Sequence, residues 1–185
     1  IHGNTTLALA FSGSTSSPTE YIKYYVDLTS SGGGIASGDA DPTNGRVVKL
    51  KLAGKDVIIT GVNPTTGKVK LLEGFGPEWM SVGDVKNVTG TNYKVRLDNV
   101  IGFGSDAIVQ LSVIDDQGRA YPLALSPNNY EEELTTGVKV FVLRAFGFGE
   151  PKMAYIAAGL EKEVDANTRI DNVFKWHVKF SGTAS

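Results

Sequence analysis

The feature that most constrains this chain is period-two alternation of apolar and polar residues, repeated in segment after segment. A β-strand turns successive side chains to opposite faces, so such alternation gives one buried face and one wet face. In Ile22-Lys23-Tyr24-Tyr25-Val26-Asp27-Leu28 the even positions are apolar and the odd ones include Lys and Asp. Val48, Leu50 and Leu52 alternate with Lys49 and Lys51, and Tyr93, Val95 and Leu97 with Lys94, Arg96 and Asp98. Phe174, Trp176, Val178 and Phe180 alternate with Lys175, His177 and Lys179. Ala107, Val109, Leu111 and Val113 share a face, whereas Ile108 breaks the polar character of the other. Segments around 57–62, 67–72, 119–125, 138–146 and 152–158 complete the set.

Turn chemistry agrees. Ala53-Gly54-Lys55-Asp56, Asn63-Pro64-Thr65-Thr66-Gly67 and Asp115-Asp116-Gln117-Gly118 separate strand-like runs as hairpin loops do. About ten short strands at this spacing predict an all-β fold, an antiparallel jelly roll or β-sandwich. One short helical turn is expected over 126–134, where Ser126 and Pro127 open and Glu131, Glu132 and Glu133 fill the first turn. Gly-Phe-Gly occurs at 74–76, 102–104 and 147–149, at intervals too unequal for a repeat architecture. Its glycines are expected to mark bulges or strand ends, with each Phe packed inward.

Composition narrows the chemistry. Cysteine is absent, which removes disulfides, thiolate metal sites and a Cys nucleophile. His2 and His177 are the only imidazoles, and no carboxylate is placed by sequence to orient His177, so both read as surface residues. The expectation is no enzyme and no cofactor. Eighteen Lys plus Arg against twenty Asp plus Glu, a net charge of -2, give no electrostatic footprint for nucleic acid. No apolar run approaches the roughly 18–20 residues that span a bilayer as a helix. Gly102-Phe103-Gly104-Ser105-Asp106-Ala107 fits a loose dinucleotide pattern, but a strand-like run follows where the phosphate-binding helix should start. Asp39, Asp41 and Asn44 offer oxygen ligands in a Gly-containing loop, yet the spacing misses the EF-hand pattern and reads as a polar turn, leaving a weak metal candidate. Asn4-Thr5-Thr6 and Asn87-Val88-Thr89 are glycosylation sequons, and Asn87 is the better placed of the two.

The N-terminal segment raises the functional question. In Asn4-Thr5-Thr6-Leu7-Ala8-Leu9-Ala10-Phe11, the residues Thr5, Leu7, Leu9 and Phe11 share one strand face. A polar, flexible tether over 14–19 is expected to follow, ahead of a single β-sandwich domain over 20–185. The polar stretch from Ser12 to Thr19 reaches at most about 26 Å at ~3.3 Å per residue. The first strand, residues 1–13, can therefore complete its own sheet in cis or donate itself to a neighbour in trans. Donation in trans makes each subunit both donor and acceptor, a heterologous contact that grows head to tail. Burial of Leu7, Leu9 and Phe11 contributes roughly 1.5–3 kcal/mol each before ordering costs.

The Thr5-Leu7-Leu9-Phe11 face, the Gly/Ser tether, the absence of cysteine and the closing strand Phe174-Lys175-Trp176-His177-Val178-Lys179-Phe180 together resemble the TasA/camelysin biofilm-fibre family. The likeness is to its archaeal bundling pilin type. The resemblance implies a jelly roll that polymerises by donor-strand complementation, with other copies of itself as partner and neighbouring filaments as further partners in bundles. It implies an extracellular or cell-surface location after removal of a signal peptide. The alternative reading is a secreted β-sandwich module that binds a ligand such as carbohydrate, with its first strand in cis.

Overall fold

The computed structural model describes residues 4–14, 17–27, 40–52, 55–63, 65–133, 135–165, 169–170 and 174–175. The strands are β1 (Asn4–Ser14), β2 (Ser17–Asp27), β3 (Val48–Leu52), β4 (Lys55–Asn63), β5 (Lys68–Ser81), β6 (Val85–Asn87) and β7 (Lys94–Phe103). They continue as β8 (Ile108–Ile114), β9 (Ala120–Leu125), β10 (Asn129–Glu133), β11 (Val138–Gly147), β12 (Met153–Val164), β13 (Arg169–Ile170) and β14 (Phe174–Lys175). The all-β, antiparallel class predicted from the alternation is the one the chain adopts. Two three-residue 3-10 turns, Pro42–Asn44 and Gly104–Asp106, are the helical content among the described residues.

Ten strands form one antiparallel sheet, in the order β3-β4-β5-β12-β11-β7-β8-β9, with β10 added beside β11 and β6 beside β7. β11 is the joint. It pairs with β12 over most of its length and with β10 from Val138 to Val142, but with β7 only at Phe146↔Phe103 and Gly147↔Gly102. Buried side chains from both arms of the sheet meet in one cluster. Met80 of β5, Val140 and Val142 of β11 and Ile156 of β12 join Leu97 of β7, Val109 and Leu111 of β8 and Leu123 of β9. The sheet therefore turns over its own core at the β11–β7 junction.

The first part of β11, residues 138–143, is buried on both faces. In β11, Val140 and Val142 face the main core, while Phe141 and Leu143 pack with Ile58, Leu72 and Ala157 on the opposite side. That explains why the run 138–143 is nearly unbroken apolar instead of alternating. Lys139 is the exception, 9% exposed. Its Nζ lies on the carboxylate of Glu161 from β12, whose other oxygen accepts from the Thr60 hydroxyl at 3.0 Å. A cation this deep is tolerated because its partner is held by a second hydrogen bond.

The helical turn expected over 126–134 is a correction. Pro127 and Asn128 form a turn, with Asn128 at φ 61 and its N–H donating to Val142 O at 2.7 Å. The next residues run as β10 beside β11, with Tyr130 opposite Phe141 and Glu133 opposite Val138. A five-pair ladder and the ring contact of Tyr130 with Phe141, 5.2 Å between centroids, outweigh a weak local preference for helix. The Glu133 carboxylate instead caps the following turn, accepting from the N–H groups of Thr135 and Thr136 at 3.0 and 2.7 Å.

The N-terminal segment forms a separate two-stranded sheet. β1 and β2 pair antiparallel from Asn4↔Asp27 to Ser14↔Ser17. Residues 17–19, expected within a tether, are thus the start of β2, and residues 20–27, counted with the main domain, ladder to β1. The physical reason is the register, which brings Leu7 and Leu9 opposite Tyr24 and Ile22, with Thr5 opposite Val26, and so pairs apolar positions across the two strands. Among the described residues neither strand joins the ten-stranded sheet.

Candidate functional site: an aromatic corner and a strand pair

Two features are left unabsorbed by the core. The first is the face of the β1–β2 pair. Residues directly opposite in an antiparallel pair lie on one face, so positions 5, 7, 9 and 11 share theirs with 26, 24, 22 and 20. That face combines Thr5, Leu7, Leu9 and Phe11 with Val26, Tyr24, Ile22 and a single charged residue, Glu20. The outer edge of β1, away from β2, carries no ladder among the described residues.

The second feature lies on the outside of the joint. Phe146 and Phe103 are ladder partners, as are Ile101 and Ile108. The intervening inward positions, Val100, Val109 and Ala145, are in the core. The outward ones are exposed: Phe103 by 64%, Phe146 by 48%, Ile101 by 49% and Ile108 by 45%. Phe148, 69% exposed, stands edge-on to Phe103 with centroids 5.8 Å apart and ring planes at 87°. The row continues across the sheet through Arg144, Tyr155 and Trp79, which occupy consecutive register positions on β11, β12 and β5. Trp79 and Tyr155 are 5.2 Å apart with planes at 41°. Arg144 is exposed and makes no ion pair among the described residues.

Glycines make this corner possible. A Cβ on Gly147 would lie 2.5 Å from Gly102 O and 2.9 Å from Val100 Cγ1, so only glycine lets β11 approach β7. The Gly-Phe-Gly expectation therefore splits. Phe75 packs into the core, 8% exposed, and Gly74 abuts the Ala158 carbonyl on β12. Phe103 and Phe148 point outward instead, a correction whose cause is the convex turn of the sheet: inward positions there are already filled by Val100 and Ala145.

Asp41 caps the 3-10 turn Pro42–Asn44, accepting from Thr43 N at 3.0 Å and Thr43 Oγ1 at 2.6 Å. Asn44 lies in that turn, and Asp39 falls outside the described residues. Residues 104–106 form a 3-10 turn that leads into β8, so no helix N-terminus follows the Gly-Phe-Gly at 102–104. Asn87 is exposed at the end of β6, and Asn4 begins β1. His2, His177 and most of the closing segment 174–180 lie outside the described residues.

The strongest carboxylate environment is a turn. Asp115, 9% exposed, accepts from the N–H groups of Gln117 and Arg119, from Arg119 Nε at 2.9 Å and from the Tyr121 hydroxyl at 3.1 Å. Burial pushes its pKa up, but these hydrogen bonds outweigh burial and hold it below the ordinary carboxylate value. Glu133 follows the same logic with Thr135 and Thr136. Both carboxylates are consumed in holding loops. Among the described residues no three His, Cys, Asp or Glu side chains come together as a metal cluster, and no helix is long and apolar enough to cross a membrane. No protein family, curated protein or solved structure matches this chain.

Proposed function

We propose that this chain is the structural subunit of an extracellular filament, a doubled sheet of jelly-roll type that polymerises head to tail by giving its N-terminal strand to the next subunit. The observation that carries the reading is the β1–β2 pair. A two-stranded sheet alone is marginal in water. This one sets positions 7, 9, 11, 22, 24 and 26, all apolar or aromatic, on one face and ladders to nothing else described. Such an element gains most of its stability from whatever covers it, and one edge of β1 remains open for strand addition. A carbohydrate-binding module is the second reading, favoured by exposed Trp79 beside the partly buried Tyr155. Their rings tilt by 41° and the Phe103–Phe148 pair stands at 87°, so the four rings offer no common plane to a sugar chain.

The test is Leu9→Asp, with Ala10→Asp as the control on the opposite face. Negative-stain imaging and light scattering of wild type should show filaments, absent in Leu9→Asp and retained in Ala10→Asp. Filaments of normal length from Leu9→Asp would sink the proposal. A strictly monomeric wild type at all concentrations would sink it as well.

A further inference from the structure

The aromatic corner and the strand pair are complementary surfaces on one chain. The corner carries five large apolar side chains outside the β7, β8 and β11 junction, and Trp79 and Tyr155 extend the row over β12 and β5. The five and Trp79 are about half-exposed or more and present roughly 100 Å² each, so together they offer on the order of 600 Å². That lies at the upper end of the largest apolar patch usual on a monomer, about 300–600 Å², and approaches the ~800 Å² each partner gives to a stable interface. Five adjacent strands at ~4.8 Å spacing make the row about 19 Å long, measured along the sheet around its turn. Positions 5 to 11 of β1 extend about 20 Å at ~3.3 Å per residue. The two surfaces match in length.

Charge gives the match a direction. The row holds one cation, Arg144, without an ion-pair partner among the described residues and at the register position opposite Tyr155. The apolar face of the strand pair holds one charged position, Glu20, opposite Phe11. A lone Arg on one apolar surface and a lone Glu on the other fit the pattern by which interfaces fix register.

Resting on the filament reading above, we infer that the aromatic corner is the acceptor face: the β1–β2 pair of a second copy packs on it as an extra layer, Arg144 meeting Glu20. Sheets stack face to face at about 10 Å through interleaved apolar side chains, the geometry such a layer needs. Because donor and acceptor are different surfaces of the same chain, the contact repeats without closing.

The experiment uses the full chain and four variants, read by sedimentation velocity and light scattering across a dilution series, with circular dichroism and thermal melts as folding controls. Phe103→Ser with Phe148→Ser should leave the melt of the dissociated chain unchanged, since both side chains are exposed, and should abolish assembly together with the rise in melting temperature that assembly gives. Arg144→Glu should raise the concentration needed for assembly at least tenfold. Glu20→Arg introduced alongside Arg144→Glu should recover most of that loss, which a merely structural role for either residue does not predict. If the double Phe variant assembles normally while Leu9→Asp does not, the filament reading stands and the acceptor face lies elsewhere. If Leu9→Asp also assembles normally, both fall. A charge swap without recovery overturns the Arg144–Glu20 register. Concentration-independent protection of the β1–β2 amides in a monomer would show the strand pair docking on its own body, and overturns the second copy as occupant.

Discussion

The tripeptide Gly-Phe-Gly occurs at two kinds of place in this molecule, and the same residues do opposite things there. At 74–76, on β5, Phe75 fills the core and Gly74 sits against the β12 backbone with no room for a Cβ. At 102–104 and 147–149, where β7 meets β11, Phe103 and Phe148 stand in solvent and touch each other. The difference is curvature. A strand in the middle of the sheet sends a large residue into the enclosed side, whereas a strand at a sharp convex turn has little enclosed volume. Valine and alanine fill that volume, and the aromatic is left outside. Local sequence sets the backbone at both places; position within the sheet sets the fate of the ring.

The comparison breaks first at Phe75. Phe75→Ala should cost about 3–5 kcal/mol in equilibrium urea unfolding, the loss expected for a truncated core aromatic. Gly74→Ala comes next, because the added methyl meets the Ala158 carbonyl. A loss of about 3 kcal/mol is expected, whereas Gly149→Ala, with open space but φ 75, should cost about 1–2 kcal/mol. Equal losses at the two glycines would mean that backbone conformation rather than close approach decides. The smallest effect belongs to the exposed rings: in the unassembled chain, Phe103→Ala or Phe148→Ala should change unfolding stability by no more than about 0.5 kcal/mol. A loss near that of Phe75→Ala would show that the corner is packed in solution.

Acid offers a different kind of check on the loops that hold these strands. Asp115 and Glu133 have folded-state pKa values below their unfolded ones, the hydrogen bonds to each outweighing burial. Their contribution is therefore present above the unfolded carboxylate value of about 4 and is lost as pH falls through the lower folded values. Melting temperature should fall across that window. The Asp115→Asn, Glu133→Gln double variant should start lower at neutral pH and show a flatter acid limb. An unchanged limb would move the acid sensitivity to other carboxylates.

The fold class was legible because alternation is a local signal. The runs at 48–52, 93–98 and 107–113 read as strands and fall on β3, β7 and β8 to within one residue, and the loop at 115–118 is a turn as its Asp and Gly indicate. Over 126–134 the sequence misled, since the ladder to β11 is a long-range pairing invisible in a nine-residue window. The aromatic corner left one trace. Ile108, the residue that spoiled the polar face of its strand, proves to be half-exposed at that corner beside its ladder partner Ile101. Nothing local could join it to Phe146, which arrives from a strand far along the chain. The partnership of β1 with β2 was likewise hidden: two alternating runs separated by a polar stretch suit a tether and a hairpin equally well.

One further consequence follows from the place of β12. It is laddered to β5 from Met153↔Ser81 to Val164↔Val69 and to β11 from Met153↔Phe146 to Leu160↔Val138, with Ala154, Ile156 and Ala158 fully buried. Freeing any of its central amides to solvent requires parting two long ladders and the core together. Hydrogen–deuterium exchange at 154–158 should thus proceed only through complete unfolding, at a rate set by the molecule's global stability. Those few amides are a clock for the whole body, and they would register the gain when a partner binds.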